Sequence, residues 1–139
     1  MDITKLPFNE FIGIERDSRE EFVLRLPSSE RYANHLGTVH ASALMALAEA
    51  TSGEKLLLQM DSPASGIIPV VRRFECKFRK PAVGAVSSKA NISENSLAEL
   101  KDSLLKKGRG SIEVAVDLYD DSDTHVMACS VDWFIATTT

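Results

Sequence analysis

The sequence predicts an α+β domain in which an antiparallel sheet wraps one long helix. Three observations predict it. From Ala41 to about Met60 there is no proline, and alanine and leucine dominate, which favours helix. Most of the remaining chain alternates apolar and polar residues with period two, the pattern of half-buried strands. Strands also follow strands, with one long helix early and one short helical insertion later, which describes an antiparallel arrangement.

Taken in order, residues 1–9 read as a short lead-in, with Pro7 breaking any early helix. Phe11 to Glu15 and Glu21 to Leu26 are strand-like runs around the polar turn Arg16-Asp17-Ser18-Arg19, so a hairpin is expected to open the fold. Gly37 supplies backbone freedom just before the long helix, and Thr38 or His40 lies near its cap. On that helix Ala43, Leu47, Ala50 and Glu54 form one stripe, and Ala41, Leu44, Met45, Ala48 and Ser52 an adjoining one. Large residues are few on either, so another backbone can come close. After the turn cluster 61–66, Ile67 to Phe78 reads as a long strand, with Arg72, Phe74, Cys76 and Phe78 on one face. Pro69 and Pro81, lacking an N–H for the ladder, belong at strand ends, bulges or an edge. Ala85 to Ile92 is the next strand. Ser96 to Lys107 is a short helix with Leu97, Leu100, Leu104 and Leu105 on its buried stripe and Gly108 or Gly110 to stop it. Ser111 to Tyr119 and Val126 to Ile135 close the domain as a hairpin around an acidic turn.

At 139 residues one domain, 1–139, is expected, large enough to bury roughly two-thirds of its unfolded surface. A net charge of −4 and a pI near 5.4 argue against nucleic acid as the main partner, because phosphate binding needs a concentrated cationic face. Cys76 and Cys129 lie far apart in strand-like runs and read as small buried hydrophobes. The N-terminal residues lack the basic head and apolar core of a signal peptide, and no run approaches the ~18 apolar residues of a membrane span. A cytoplasmic setting with no membrane partner is the expectation.

Glu49 is the residue that needs explaining. One carboxylate in a small-residue helix gripped by a sheet is expected to be partly buried. It reads either as a catalytic group or as a solvent-facing residue or arginine partner. His35 and His40 are five residues apart with no third ligand nearby, so no metal is expected. The acidic turn Asp120-Asp121-Ser122-Asp123 lacks the glycine and terminal glutamate of a calcium loop. Arg72, Arg73, Lys77, Arg79 and Lys80 form the one basic concentration, read as solvated charge or as a phosphate-binding strand end.

Asn34, His40 six residues on and Glu49 nine further resemble the Asn…His-Gly-Gly…Asp/Glu signature of hot-dog-fold thioesterases of the PaaI-like and 4-hydroxybenzoyl-CoA type. Phe78-Arg79-Lys80-Pro81-Ala82-Val83-Gly84 is similar to the aromatic, Pro-Ala and Gly bend that follows in that family, and the likeness covers most of the chain. The resemblance implies a hot-dog fold: a sheet wrapped on the central helix, paired into a dimer or a dimer of dimers. It implies an acyl-CoA substrate at the interface, with coenzyme A entering as part of the substrate and no separate cofactor. The Ala41 N–H would polarise the thioester carbonyl, Glu49 would be general base or nucleophile, and Asn34 and His40 would shape the site. The substrate-binding set implied alongside them is Gly37, Ser42, Ser65, Val71, Arg72, Arg79 and Lys80.

This sequence departs from the family where Ala41-Ser42 stand in place of Gly-Gly and Val71 stands where a water-holding Ser or Thr is often found, Ser65 being a substitute by sequence. Two functions are therefore carried forward: acyl-CoA thioester hydrolysis, and binding of acyl-CoA or a related ligand without turnover.

Overall fold

The computed structural model describes residues 1–60 and 66–138. Helix α1 spans Pro7–Ile12, α2 Ala41–Gln59 and α3 Glu94–Lys107. The strands are β1 Glu15–Arg16, β2 Leu24–Leu26, β3 Ile67–Phe78, β4 Val86–Asn91, β5 Arg109–Asp120 and β6 His125–Thr137. The described residues form one six-stranded sheet of order β1-β2-β4-β5-β6-β3, antiparallel at every pairing. The α+β architecture is the one the sequence predicts. Pro69 falls within β3, the strand at the sheet edge, where a missing N–H costs no ladder bond on the open side.

α2 lies against β2, β4, β5 and β6. Ala43, Leu44, Leu47, Ala48 and Ala50 are buried on its sheet-facing side, and from Thr51 to Glu54 every residue is buried. Polar groups inside this seam are matched. The Thr51 hydroxyl lies 2.7 Å from that of Ser88, Trp133 Nε1 donates to Ser52 Oγ at 2.9 Å, and the Glu54 carboxylate accepts from Arg16. A second small core of Leu56, Ile67, Leu100, Ile112 and Ile135 lies under α3.

Four expectations are corrected. Pro7 opens α1 instead of breaking it, because the first helical position needs no N–H donor. The residues from Phe11 are consequently helical up to Ile12, and the opening hairpin shrinks to the short β1–β2 pair. In β3 the register shifts between Val71 and Arg73, so Arg72 is an extra residue and leaves the Phe74 face. Its guanidinium stacks 4.0 Å from the Phe134 ring centroid instead. In α3, Leu100 is buried and Leu97 and Leu104 are half-buried, but Leu105 is 88% exposed, one position past the stripe.

Cys76 and Cys129 are directly opposite one another on β3 and β6, a proximity their sequence separation conceals. Both are free thiols. Burial pushes the Cys129 thiol up to about 12 and raises Cys76 as well, so neither supplies a thiolate nucleophile near neutral pH.

Leu47 is fully buried at the centre of the helix–sheet seam, whereas Leu105 is in solvent. Leu47→Ala is expected to cost about 3 kcal/mol of unfolding free energy, and Leu105→Ala less than about 0.5 kcal/mol. Urea denaturation of the two variants checks the placement of the core.

Candidate active site

The long helix begins at a built turn. Ala33 bridges Val39, and Gly37 has a φ of 76°, in the left-handed region that favours glycine. Asn34 holds the loop between them: its Oδ1 accepts from the N–H groups of Leu36 at 2.9 Å and Thr38 at 3.0 Å, and its Nδ2 donates to Thr38 Oγ1 at 2.9 Å. The Asn34 amide is therefore committed to shaping the approach to the helix. His40 is the N-cap, with Nδ1 accepting from the Ser42 N–H at 3.1 Å. Its carbonyl accepts from Ala43 and Leu44. Among the described residues no group accepts from the Ala41 N–H, which leaves it free at the positive end of a 19-residue helix.

Two clefts flank this helix, and they divide the predicted residues between them. One, of about 300 Å³, brings Ala41 and Asn34 together with Arg79 and Lys80 across a floor that includes Leu44, Phe78 and Pro81. The other, of about 400 Å³, is lined by Phe8, Ser42, Met45, Ala46, Glu49, Val71 and Phe74. Glu49 is exposed in the single chain, not partly buried as expected, because the sheet covers the opposite side of the helix at this level. Among the described residues no cation pairs with its carboxylate. The buried carboxylate of this helix is Glu54, 5% exposed and held by Arg16.

The basic residues also separate. Arg79 and Lys80 stand at the bend after β3, whereas Arg72 is seven residues back along the strand, about 20 Å away. Lys77, Arg79, Lys80, Thr124 and His125 line a further cleft of about 430 Å³ that shares Phe78, Arg79 and Lys80 with the Ala41 cleft. His125 is fixed there, with Nε2 2.8 Å from Asp117 Oδ1 and its ring stacked on Tyr119. Gly37 lies in the wall of a neighbouring depression with Thr38 and Ala82. Ser65 lies outside the described residues.

Sequence reasoning missed Phe8 and His125 as parts of these clefts, and placed Lys77 in the basic run without its neighbour His125. The reading of Pro7 as a breaker hid the helix that carries Phe8. Lys77 and His125 meet only because Phe78 pairs with Met127 in the β3–β6 register, which no local spacing reveals. Among the described residues no three His, Cys, Asp or Glu side chains gather as a metal set, and no helix is long and apolar enough to cross a membrane.

The profile of the family described as "Domain of unknown function (DUF4442)" matches residues 9–135. No curated protein matches the sequence. A solved protein of unknown function from Pseudomonas aeruginosa, described as a probable thioesterase, is 23% identical with a TM-score of 0.81, over 98% of this chain and 91% of its own. A protein of unknown function from Chlorobaculum tepidum is 22% identical with a TM-score of 0.81, over 96% and 88%. A Bacillus halodurans protein crystallised with CoA is 22% identical with a TM-score of 0.70, over 92% and 74%. At these identities the likeness is one of fold.

The Asn34 loop makes its own prediction. In Asn34→Ala the Leu36 and Thr38 amides lose their acceptor, so their hydrogen exchange is expected to accelerate at least tenfold, the equivalent of about 1.4 kcal/mol. Amides in the middle of β5 should exchange as before. Residue-resolved exchange by NMR reads both.

Proposed function

The chain belongs to the DUF4442 family and has the hot-dog fold, and from that premise we propose that it is an acyl-CoA thioesterase acting as a dimer. The observation that carries the reading is Glu49: an unpaired carboxylate at the mouth of an apolar groove, on the same helix whose first N–H is free. Ala41 and Glu49 are eight residues apart, about 12 Å along the axis. A thioester carbon within reach of one is out of reach of the other, so one chain cannot supply both to the same bond.

Two chains can. β3 is a twelve-residue edge strand with an open ladder, a surface that soluble proteins cover. The proposed dimer pairs a second copy there, with the Glu49 of each chain facing the helix start of the other. The Ala41 N–H then stabilises charge developing on the thioester oxygen. Glu49 takes a proton from water as the water oxygen bonds to the carbonyl carbon. The C–S bond breaks, and the free acid and the coenzyme A thiol leave. Attack by the carboxylate itself, through an anhydride that water opens, uses the same placement.

The bend at Arg79 and Lys80 supports the coenzyme end of the reading. These side chains join the Ala41 cleft to the Lys77–His125 cleft, and among the described residues none of Lys77, Arg79 and Lys80 has a carboxylate partner. Free cations at that bend suit phosphates. His40 and Asn34 act by shaping the helix start, and Ser42 and Val71 line the carboxylate groove.

Binding without hydrolysis is the second reading, favoured by Val71 in the Glu49 groove where a hydroxyl would help hold water. Hydrolysis of an acyl-CoA panel separates the two. Glu49→Ala is expected to lower kcat by about 10² to 10⁴ with little change in KM; equal rates in the two proteins would remove Glu49 from the chemistry. Calorimetric binding with no hydrolysis in the wild type would establish the second reading. Sedimentation at micromolar concentration is expected to show a dimer or a dimer of dimers, and a monomer would sink the composite site.

A further inference from the structure

We infer that the groove beside Glu49 takes the acyl part of the thioester, that the acyl group is uncharged and apolar, and that Phe8 of α1 sets how much of it is accepted. The inference rests on the thioesterase reading and gives its substrate class.

The walls carry the argument. Apart from Glu49 and Ser42, every residue lining the groove is apolar: Phe8, Met45, Ala46, Val71 and Phe74. The helix places them around the carboxylate. Met45 and Ala46 stand four and three residues before Glu49, one turn away on its own face. Ser42 is seven residues before it, about 10 Å along the axis, so its hydroxyl meets the far end of a bound group and not the reacting atoms. Between the thioester beside Glu49 and the Ser42 hydroxyl, an acyl chain runs along the side chains of Phe8, Met45, Ala46, Val71 and Phe74.

Charge gives the exclusion. Among the described residues no cation lines the groove, and its one ionisable group is a carboxylate. An acyl group ending in its own carboxylate would enter a low-dielectric groove without a partner and beside a like charge, and both terms oppose binding.

Phe8 has no role in folding that accounts for it. α1 buries none of its residues, and Phe8 is 59% exposed and Phe11 81% exposed. The helix is held instead by partly buried Ile12, which packs on the core, and by hydrogen bonds. Asn9 donates to the Ile3 carbonyl at 3.0 Å, Arg31 donates to the Ile12 carbonyl at 3.1 Å, and the Tyr32 hydroxyl donates to the same carbonyl. This fastening presents an exposed aromatic ring to the groove that Phe74 and Val71 also line. Truncating the ring opens the groove without removing a core contact.

The test uses full-length wild type, Phe8→Ala and Glu49→Gln with acetyl-, octanoyl-, phenylacetyl- and succinyl-CoA. In the wild type, kcat/KM for octanoyl- or phenylacetyl-CoA is expected to exceed that for succinyl-CoA at least a hundredfold, with the better of the two telling alkyl from aryl preference. Phe8→Ala is expected to change the octanoyl to acetyl ratio of kcat/KM at least fivefold while thermal unfolding stays within a degree or two of wild type. Calorimetry on Glu49→Gln is expected to repeat the octanoyl over acetyl ranking as affinity, independent of turnover, with a smaller succinyl penalty because the like charge is gone. A chain-length ranking in binding with no hydrolysis by the wild type would keep the acyl groove and reject the thioesterase reading. Hydrolysis in which Phe8→Ala scales every substrate alike, or in which succinyl-CoA is preferred, would keep the thioesterase and overturn the groove. If Phe8→Ala unfolds early, Phe8→Leu replaces it and must still shift the ratio.

Discussion

The structure depends on how closely the sheet closes on the second half of α2. Thr51, Ser52, Gly53 and Glu54 are buried in succession, which brings polar atoms into the centre of the domain. Such groups are tolerated only with partners. Each partner comes from a different part of the chain: Ser88 from β4, Trp133 from β6 and Arg16 from β1. The seam thus fixes three strands relative to one helix. The Arg16 contact also reaches the chain's start, because the same guanidinium bonds Asp2 at 3.0 Å, just ahead of α1.

Toward its N-terminus the same helix is released. Ala41, Ser42, Met45 and Glu49 are exposed while Ala43, Leu44, Leu47 and Ala48 stay against the sheet. A helix enclosed from Thr51 to Glu54 and covered on one side toward its start offers polar groups to a ligand only along the uncovered stretch. The free N–H of Ala41 and the carboxylate of Glu49 belong to that uncovered stretch, and rigidity supplied by the seam keeps both in place. On the proposed reading, their separation along the axis is what calls for a second chain.

The fold was legible because its signals are periodic and long. β3 and α2 alternate or repeat over many residues, and their ends fall where proline, glycine and capping residues put them. What was not legible depends on single residues whose meaning changes with position. Pro7 starts a helix at one place and would break it two residues later. Arg72 changes face because β3 accommodates an extra residue there, and a bulge leaves no mark in a pattern of alternation. At the site, the resemblance set Asn34, His40 and Glu49 about an acyl-CoA at the interface of two chains. Within one chain Asn34 stands at the helix start and Glu49 in a separate groove, because residues nine apart on a helix are displaced along it as well as around it. Glu54, at stripe spacing with Leu47 and Ala50, reads as an ordinary helix residue until Arg16 is folded over it.

The exposure of Glu49 bears on the chemistry in a way that burial would not. A carboxylate enclosed by the sheet would need a permanent partner, as Glu54 has, and a carboxylate bonded to arginine is a poor proton acceptor. Left at the rim of an apolar groove, Glu49 keeps its water until something covers it. On the proposed reading the cover is the second chain and the substrate together. Apolar surface then leaves solvent along Phe8, Met45 and Phe74, which favours closure, while water at the carboxylate has only the Ser42 hydroxyl, two turns away, as another polar side chain of the groove. Closure therefore selects that water. The absence of a hydroxyl at Val71 is consistent with a site in which the carboxylate alone holds the nucleophile, at the cost of aiming it less firmly than two groups would.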